Sequence, residues 1–383
     1  MNSPVIELLA RLVACPSVNP AGKETFAPPY GEERMSQLLA EIVTPWGAGV
    51  SIEEAAPGRP NFLARFRGKD SSRCLLLEAH SDTVQIDDMT IPPFEPSVRE
   101  GRLYGRGSCD TKAALAAMLA AMREILDTDG RPPTDVLLGS SCNEEYGARG
   151  IQAMVKSGLG VDAAVVGEPT RLMPVHAHKG VIRWRIATHG VAAHSSLPEK
   201  GVSAISHMAK VIATIDGPLR SELARKSHPL LGAPRISVGT IRGGTQFNIV
   251  PSYCVIEVDR RLIPPETAEA AAGEVARLLE EYQREDPTFK FDIEHAMDYP
   301  PFYEEPDSPL IGLVQKACRD VGLSGELSAE PYGTNAGFLK TSGISCVVLG
   351  PGDAAQAHTV DEFVEIEQVE KAVALYAGII RGF

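Results

Sequence analysis

The chain has 383 residues, which predicts two domains at an average of about 150 residues each. Apolar residues make up 44% and charged residues 23% of the chain, a balance typical of globular proteins that excludes wholesale disorder, a coiled coil and a fibrous repeat. The formal net charge is -13, so we expect neither a nucleic-acid backbone nor an anionic membrane as the main partner.

The sequence predicts a cytoplasmic protein. Its longest apolar stretch, residues 113–122, is shorter than the about 20 residues that span a bilayer. The first residues lack a basic segment followed by an apolar core, so we expect no export signal. The seven cysteines are odd in number and scattered, without the spacing of a disulfide framework or of a paired-cysteine metal site.

The first part of the chain alternates helical and strand patterns. Apolar positions predict helices at residues 4–13, 32–43 and 112–126, and a last helix at 366–380. Short apolar runs predict buried strands at residues 74–77, 136–138, 163–166 and 346–349. Alternating strands and helices indicate an α/β fold with a mixed, largely parallel sheet.

The middle of the chain follows a different order. Strand patterns at residues 181–188, 236–241, 253–258 and 289–295 are interrupted by helical patterns at 202–215 and 267–283. This β-α-β-β-α-β order is typical of a ferredoxin-like α+β domain. We therefore expect an inserted domain at residues 179–297, with residues 1–178 and 298–383 forming the α/β domain.

A histidine or carboxylate follows each predicted strand of the α/β domain. In chain order these residues are His80 and Asp82, Glu144 and Glu145, Glu168, and His358. Asp110 joins them as the predicted N-cap of the helix that begins near Thr111. Because ligands of open α/β sheets bind beyond the carboxyl ends of the strands, we expect these side chains to share one crevice.

The donor set suits a pair of divalent ions such as Zn²⁺. Two ions about 3.5–4 Å apart need a bridging carboxylate and a bridging water that becomes nucleophilic at neutral pH. Of the adjacent Glu144 and Glu145, one can ligate while the other faces the water as general base. Asp82 could accept the second imidazole N–H of His80 and fix its tautomer. Taken singly, each residue also fits a plain structural role, as a core histidine, a surface acid or a helix cap.

Five segments resemble the metal-site motifs of one enzyme family. They are HSDTV at residues 80–84, GRGSCDTK at 105–112, EEYG at 144–147, GEPT at 167–170 and AHTVDE at 357–362. Their order and content are similar to the di-zinc deacylase and exopeptidase family of acetylornithine deacetylase, succinyl-diaminopimelate desuccinylase, aminoacylase and carboxypeptidase G. The resemblance covers nearly the whole chain and implies a zinc-exopeptidase-like catalytic domain with an inserted lid and dimerisation domain.

The resemblance implies a role for each residue of the predicted crevice. It implies two zinc ions, or cobalt or manganese instead, with these ligands: Asp110 as the bridge, His80 and Glu168 on one ion, and Glu145 and His358 on the other. It further implies Glu144 as the general base and Asp82 as the residue that orients His80.

The inserted domain and a later loop also resemble the family. GVAAHSS at residues 190–196, Asn248 and Arg261 match the lid, which implies that His194 and Asn248 hold the scissile carbonyl or the substrate carboxylate, often across a homodimer interface. Arg261 would pair with the substrate carboxylate, which a guanidinium can bind bidentately. Their plain alternatives are a turn cap, a turn residue and a surface charge. The loop GTNA at 333–336 implies Gly333 and Thr334 as substrate-binding residues.

One position of that loop departs from the family. Asn335 stands where the family often has Asp, which removes a negative charge near the substrate and weakens any expectation of a cationic substrate side chain. His176 and His178 precede the inserted domain, and we expect hinge or wall roles for them rather than metal ligation.

The sequence thus predicts a metal-dependent hydrolase that cleaves the amide of N-acyl amino acids. A zinc-bridging water would attack the carbonyl, with Glu144 as general base. A dipeptidase or carboxypeptidase with the same chemistry is the alternative within the family, and a catalytically silent, metal-stabilised binding protein is the alternative from another class. A thiol nucleophile at Cys109 or Cys142 is disfavoured, because neither has an obvious histidine base.

Overall fold

The computed structural model describes residues 3–23, 25 and 27–383. Its helices are α1 (Pro4–Val13), α2 (Glu33–Val43), α3 (Lys112–Asp129), α4 (Arg149–Ser157), α5 (Ala204–Thr214), α6 (Arg220–Leu223), α7 (Ala268–Glu285), α8 (Pro309–Asp320), α9 (Ala336–Thr341) and α10 (Ile366–Gly382). Within those described ranges, no helix is both long and apolar enough to cross a membrane.

The strands are shorter and more numerous than the helices. They are β1 (Gly49–Ala56), β2 (Arg59–Phe66), β3 (Asp70–Glu78), β4 (Ser97–Arg99), β5 (Arg102–Tyr104), β6 (Thr134–Ser140), β7 (Ala163–Val166), β8 (Val175–His178), β9 (Gly180–His189), β10 (Ala193–His194), β11 (Arg235–Gly243), β12 (Ile249–Val250), β13 (Tyr253–Leu262), β14 (Lys290–Tyr299), β15 (Phe302–Tyr303), β16 (Ser328–Glu330), β17 (Ser345–Val348) and β18 (Phe363–Glu365).

The chain divides into two compact units. The first comprises Met1–His176, Glu304–Ser328 and Thr334–Phe383, and the second Ala177–Tyr303 and Ala329–Gly333. In the first unit the sheet runs in the order β1-β2-β6-β3-β7-β17. Strands β6, β3, β7 and β17 are parallel neighbours, whereas β1 and β2 are antiparallel. The predicted mixed, largely parallel sheet is confirmed, and its four parallel strands end at one edge.

Helix α3 lies in the core of the first unit. Its alanine-rich sequence leaves small side chains all round, so it is buried on almost every side and packs against α1 and α10. A Cβ at Gly167 would lie 2.7 Å from the Cβ of Ala114, so only glycine lets the end of β7 approach this helix. The Thr111 hydroxyl donates to the Gly167 carbonyl at 2.6 Å, which fixes the start of α3 against the same strand end.

The predicted N-cap role of Asp110 is wrong. Thr111 occupies the N-cap position of α3, and no side chain caps the helix there. The main-chain N–H of Asp110 instead donates to Glu362, so the residue belongs to the loop before the helix.

The second unit has the predicted ferredoxin-like order. Strands β9, β11, β13 and β14 form an antiparallel sheet in the order β11-β13-β9-β14, and α5 and α7 contribute to one core with it. The strand β9 alternates buried and exposed side chains, as a sheet covered on one face requires. A short antiparallel ribbon of β10 and β12 completes the unit.

Candidate metal centre

Five predicted ligands lie together beyond the ends of the parallel strands. His80 follows β3, Glu145 follows β6, Glu168 follows β7, and His358 lies in the loop after β17. Two groups of side chains each have ligand atoms within 4.8 Å of one another and could hold a metal ion: His80, Asp110 and Glu168, and Asp110, Glu145 and His358.

Asp110 belongs to both groups, with one oxygen turned to each. Its Oδ1 lies 3.0 Å from His80 Nε2, and its Oδ2 lies 3.2 Å from His358 Nε2. His358 Nε2 is also 3.1 Å from Glu145 Oε2. A carboxylate that faces two ligand groups with separate oxygens has the geometry of a bridging ligand.

The centre concentrates negative charge away from water. Burial and the neighbouring charge of Asp110 raise the pKa of Glu145 to about 7. Burial also raises the pKa of Glu144 and of Glu168 well above the usual range, and nearby carboxylates add to both shifts. These shifts indicate a crevice in which the carboxylates repel one another unless positive charge is supplied.

The pKa shifts of the two histidines and Asp110 favour their charged forms, whereas those of the glutamates favour the neutral form. Burial opposes the charged form of His80, but the bond to Asp110 and the charges of nearby carboxylates raise its pKa well above the usual value. Hydrogen bonds to Asp110 and Glu145 raise the pKa of His358 to about 10. Burial raises the pKa of Asp110, but the contacts with His358 and His80 outweigh it and hold that pKa well below the usual range. The histidines therefore act as local counter-cations for the acids.

The residues fit a pair of divalent metal ions. Histidine nitrogen with carboxylate oxygen is a donor set that Zn²⁺, Co²⁺ and Mn²⁺ accept in proteins. Among the described residues, the buried Oε1 of Glu145 has no hydrogen-bond partner. Such an orphaned carboxylate oxygen is costly unless a ligand satisfies it, and a cation would do so.

Asp82 holds the turn that carries Glu144 and Glu145. Its Oδ1 accepts the Glu144 N–H at 2.9 Å, and its Oδ2 accepts the Glu145 N–H at 3.0 Å. The expected contact with His80 is made mainly by the main chain: Nδ1 of His80 is 2.9 Å from the Asp82 carbonyl oxygen but 3.8 Å from Oδ1. Asp82 thus orients the ring through its backbone and the glutamates through its side chain.

Glu144 lies beside the two ligand groups without belonging to either. It begins a short 3₁₀ turn, Glu144–Tyr146, and is half-buried. The preceding Asn143 has φ +62°, a left-handed conformation that few residues other than glycine adopt readily. This turn separates the directions of the adjacent glutamates, so Glu145 enters a ligand group while Glu144 stays beside it.

Glu362 holds the loop that carries Asp110. Its carboxylate accepts main-chain N–H groups from Gly107 at 3.0 Å, Cys109 at 2.8 Å and Asp110 at 3.0 Å. It also pairs with Arg106 at 2.8 Å, and both side chains are buried. The motif at residues 357–362 contains Glu362, but the sequence did not predict a role for this residue. Its position four residues after the predicted ligand His358 is the sequence feature that points to one.

The thiol alternative does not fit the geometry. Both candidate thiols are buried and donate to main-chain carbonyls, Cys109 to Asp353 at 3.3 Å and Cys142 to Arg59 at 3.2 Å. Burial raises the pKa of both thiols, which disfavours the reactive thiolate. All seven cysteines are free.

Asn335 is explained by a buried contact. Its Nδ2 donates to Glu78 Oε1 and to Ser141 Oγ, each at 3.0 Å. Glu78 is fully buried, and an Asp at position 335 would set two carboxylates against each other there. The neighbouring Thr334 is buried, and its hydroxyl accepts the Ala336 N–H at 3.1 Å. Thr334 lies in the first unit and Gly333 in the second.

The other predicted substrate-binding residues lie in the second unit. His194 pairs with Ile249 across the β10–β12 ribbon, and the Asn248 carbonyl accepts the Ser195 N–H at 3.0 Å, so His194 and Asn248 are neighbours. Nδ1 of His194 accepts the Ser196 N–H at 3.2 Å, which leaves Nε2 to carry the proton of the neutral ring. The Oδ1 of Asn248 is buried without a partner among the described residues.

The surroundings of Arg261, His176 and His178 differ from those of the metal ligands, with His176 at the end of the first unit's first segment and His178 at the start of the second unit. Arg261 lies on β13, half-buried, and its Nε pairs with Asp259 Oδ1 at 2.8 Å. His176 and His178 belong to neither ligand group. Burial lowers the pKa of His178 to about 4, and its ring lies 5.2 Å from that of Phe302.

Comparisons with known proteins agree with this architecture. Residues 76–382 match the model of peptidase family M20/M25/M40. The acetylornithine deacetylase of Pectobacterium carotovorum is 32% identical over an alignment of length 394, which covers 99% of this chain and 98% of that protein. A tripeptidase from Staphylococcus aureus shares the fold with a TM-score of 0.79 at 23% identity, covering 98% of this chain and 97% of that one.

A second solved structure shares the fold more distantly. It is a dinuclear metal-binding M20 peptidase from Bacillus subtilis, with a TM-score of 0.71 at 15% identity over 98% of this chain and 96% of that one. The match to the family model covers most of the chain, and its range contains every residue of the two ligand groups. The chain belongs to peptidase family M20/M25/M40.

Proposed function

We propose that this protein is a metal-dependent hydrolase that cleaves the amide bond of N-acyl amino acids. The observation that carries the proposal is the pair of ligand groups sharing Asp110, with Glu144 beside them on the same turn as Glu145. Relatives at about this chain's full length, such as the one from Pectobacterium carotovorum, are named acetylornithine deacetylase, which favours an acyl amino acid as substrate.

Each side chain of the centre has a proposed task. Asp110 would hold both ions, His80 and Glu168 would complete one site, and Glu145 and His358 would complete the other. When bound, two Zn²⁺ ions supply Lewis acidity and lower the pKa of a water molecule toward neutrality. Co²⁺ or Mn²⁺ would suit the same donors.

Glu144 is the proposed general base. It accepts a proton from the attacking water and returns it to the nitrogen of the leaving amine, so the products are a carboxylate and an amino acid. A positioned carboxylate contributes about 10²–10⁴-fold to such proton transfers.

The second unit supplies the proposed substrate contacts. His194 would donate from Nε2 to the oxyanion, which the acceptor role of its Nδ1 supports. The side-chain amide of Asn248 is proposed to donate to the scissile carbonyl or the substrate carboxylate, and the guanidinium of Arg261 is proposed to pair with the free carboxylate. Gly333 and Thr334 are proposed to line the same substrate.

We also propose that the protein is a cytoplasmic homodimer that associates through the second unit. Exposed apolar side chains are frequent on that unit, and they include Val191, Ile205, Ile241, Phe247 and Ile249. A cavity of 460 Å³ is lined by several of them together with the Gly243-Gly244 turn. Contiguous exposed apolar surface of this kind is typical of protein interfaces. Seven free thiols are typical of a reducing compartment.

The test is amine release by the zinc-loaded protein from a matched panel. N-acetyl and N-succinyl amino acids are compared with simple dipeptides of the same amino acids, and each acyl amino acid is paired with its α-amide. We expect turnover of acyl amino acids that carry a free carboxylate. Turnover confined to dipeptides would transfer the same centre to a peptidase, and no turnover with two ions bound would favour the silent binding protein.

A further inference from the structure

Three successive peptide N–H groups of the turn that carries Glu144 are held by buried carboxylates. Asp82 accepts those of Glu144 and Glu145, as described above, and Glu32 Oε1 accepts that of Asn143 at 3.1 Å. Glu32 is 111 residues away in sequence, immediately before α2. The start of this turn is thus fixed by a residue outside every motif of the sequence.

Glu32 is itself held by Arg59. Two nitrogens of the guanidinium, Nε and an Nη, donate to the two carboxylate oxygens, a bidentate pair. The Glu32 side chain is 0% exposed and that of Arg59 7%. A bidentate ion pair defines the position of its partners more narrowly than a single contact does.

Stability alone does not account for this buried pair. Removing two charges from water is costly, and replacing a buried ion pair by apolar side chains of similar volume is often neutral or stabilising. What apolar side chains cannot replace is the acceptor for Asn143.

We infer that Glu32, held by Arg59, is a positioning residue for Glu144. The inference rests on the proposed role of Glu144 as general base. Glu32 accepts the first N–H of the turn, and Asp82 accepts the next two. The turn therefore has a single orientation, and the side chain of Glu144 is positioned before substrate binds. A displacement of about 1 Å at a reacting group can reduce the rate about 10²-fold. Loss of the Glu32 contact should therefore lower the rate of the chemical step rather than the affinity for substrate.

The decisive variant removes the acceptor without leaving a buried charge. Glu32→Leu combined with Arg59→Met keeps the volume of the pair and strands only the Asn143 N–H. The rescue variant, Glu32→Gln with Arg59→Gln, keeps an oxygen for Asn143 and a donor for residue 32 but carries no charge. For each zinc-loaded protein, kcat, KM, bound zinc and the unfolding temperature are measured on the N-acyl amino acid that the panel identifies.

A control comes from another ion pair of the same unit, in which a buried glutamate meets a half-buried lysine. Glu304 accepts the Cys346 N–H at 3.0 Å and pairs with Lys340 at 2.8 Å, so it holds a backbone group in the same way. Cys346 lies on β17, away from the turn that carries Glu144. Glu304→Leu with Lys340→Met therefore makes the same chemical change without touching that turn.

The expected result is a drop in kcat of about 10–100-fold for the Glu32→Leu/Arg59→Met protein, at nearly unchanged KM and zinc content. The rescue variant should recover most of the rate, and the control should retain kcat. A kcat within threefold of the wild type, with only the unfolding temperature lowered, would reduce the pair to a structural role and overturn the inference.

Two further outcomes are separated by single substitutions. If the double variant does not fold, Glu32→Asp decides, because it keeps the ion pair but withdraws the carboxylate from Asn143; an unchanged kcat overturns the inference. If Glu144→Gln retains turnover, the proposed function of the base fails. If Glu144→Gln is inactive while the Glu32 variants are fully active, only the positioning inference fails.

Discussion

The main-chain N–H of Asp110 donates to Glu362 Oε1 at 3.0 Å, which joins the loop that carries Asp110 to the segment that carries His358. Glu362 lies four residues after His358, so one short segment supplies both a ligand of Asp110's second group and the acceptor for Asp110's backbone. Residues 358–362 therefore contact Asp110 twice, through His358 at its side chain and through Glu362 at its backbone.

Loss of this acceptor should weaken metal binding. Glu362→Leu with Arg106→Met removes a buried pair without leaving an unpaired charge, but it strands the N–H groups of Gly107, Cys109 and Asp110. We expect zinc affinity to fall about 10–100-fold, as for other groups that orient ligands. Chelator competition on the folded protein measures it, with Glu304→Leu/Lys340→Met as the control. Unchanged affinity would show that the loop holds its shape without Glu362.

Asp110 should be required for both ions. Because it belongs to both ligand groups, Asp110→Ala should remove most of the bound zinc, whereas His358→Ala should remove only the ion of the second group. Inductively coupled plasma mass spectrometry of the dialysed proteins gives the stoichiometry. Two ions retained by Asp110→Ala would refute the bridging role.

Metal binding should release protons. In the metal-free protein the pKa of His358 is raised to about 10 by its bonds to Asp110 and Glu145, so its ring is protonated at pH 7.5. A metal needs the neutral ring, and zinc therefore displaces that proton. The apparent affinity for zinc should therefore increase as the pH rises toward 10. Below about pH 7, protonation of Glu145 also competes with zinc binding.

Calorimetry measures this release directly. Zinc is titrated into the metal-free protein at pH 7.5 in two buffers of different ionisation enthalpy. The difference between the heats in the two buffers should correspond to at least one proton released per protein. The His358→Ala substitution should reduce the number of protons released. Equal heats in both buffers would contradict the protonated state of His358.

The proposed dimer depends on apolar surface of the second unit. Phe247 is fully exposed beside the half-exposed Ile249. Phe247→Asp should convert a dimer into monomers in light scattering, because a buried carboxylate without a partner opposes association. Ile52→Asp, an equally apolar exposed site on β1 of the first unit, should leave the mass unchanged. A monomeric wild-type protein at micromolar concentration would contradict the proposal.

The strand-end residues could be predicted because they depend on local sequence. Short apolar runs mark the parallel strands, and a general rule brings the carboxyl ends of such strands to one edge. His80 and Glu168 follow their strands within two residues, so their placement required no knowledge of distant contacts. The ferredoxin-like order of the second unit could be predicted in the same way, because residues 182–189 of β9 alternate between buried and more exposed side chains.

Other features could not be derived in this way. Strand β1 has no buried side chain and no regular alternation, so nothing in its sequence predicts a strand at the sheet edge. Asp110 matched a helix cap in sequence, yet its N–H is bound by a residue 252 positions later. The contact between Glu32 and Asn143 is similarly remote, and a buried acid whose partners are backbone amides leaves no sequence motif.

The proposed role of Glu144 as general base is tested most directly by the turnover of the Glu144→Gln protein at saturating N-acyl amino acid. Bound zinc is measured on the same sample. Glu144 belongs to neither ligand group, so both ions should remain. We expect kcat to fall about 10²–10⁴-fold at unchanged zinc content. A kcat within a few-fold of the wild-type value, with both ions bound, would contradict it.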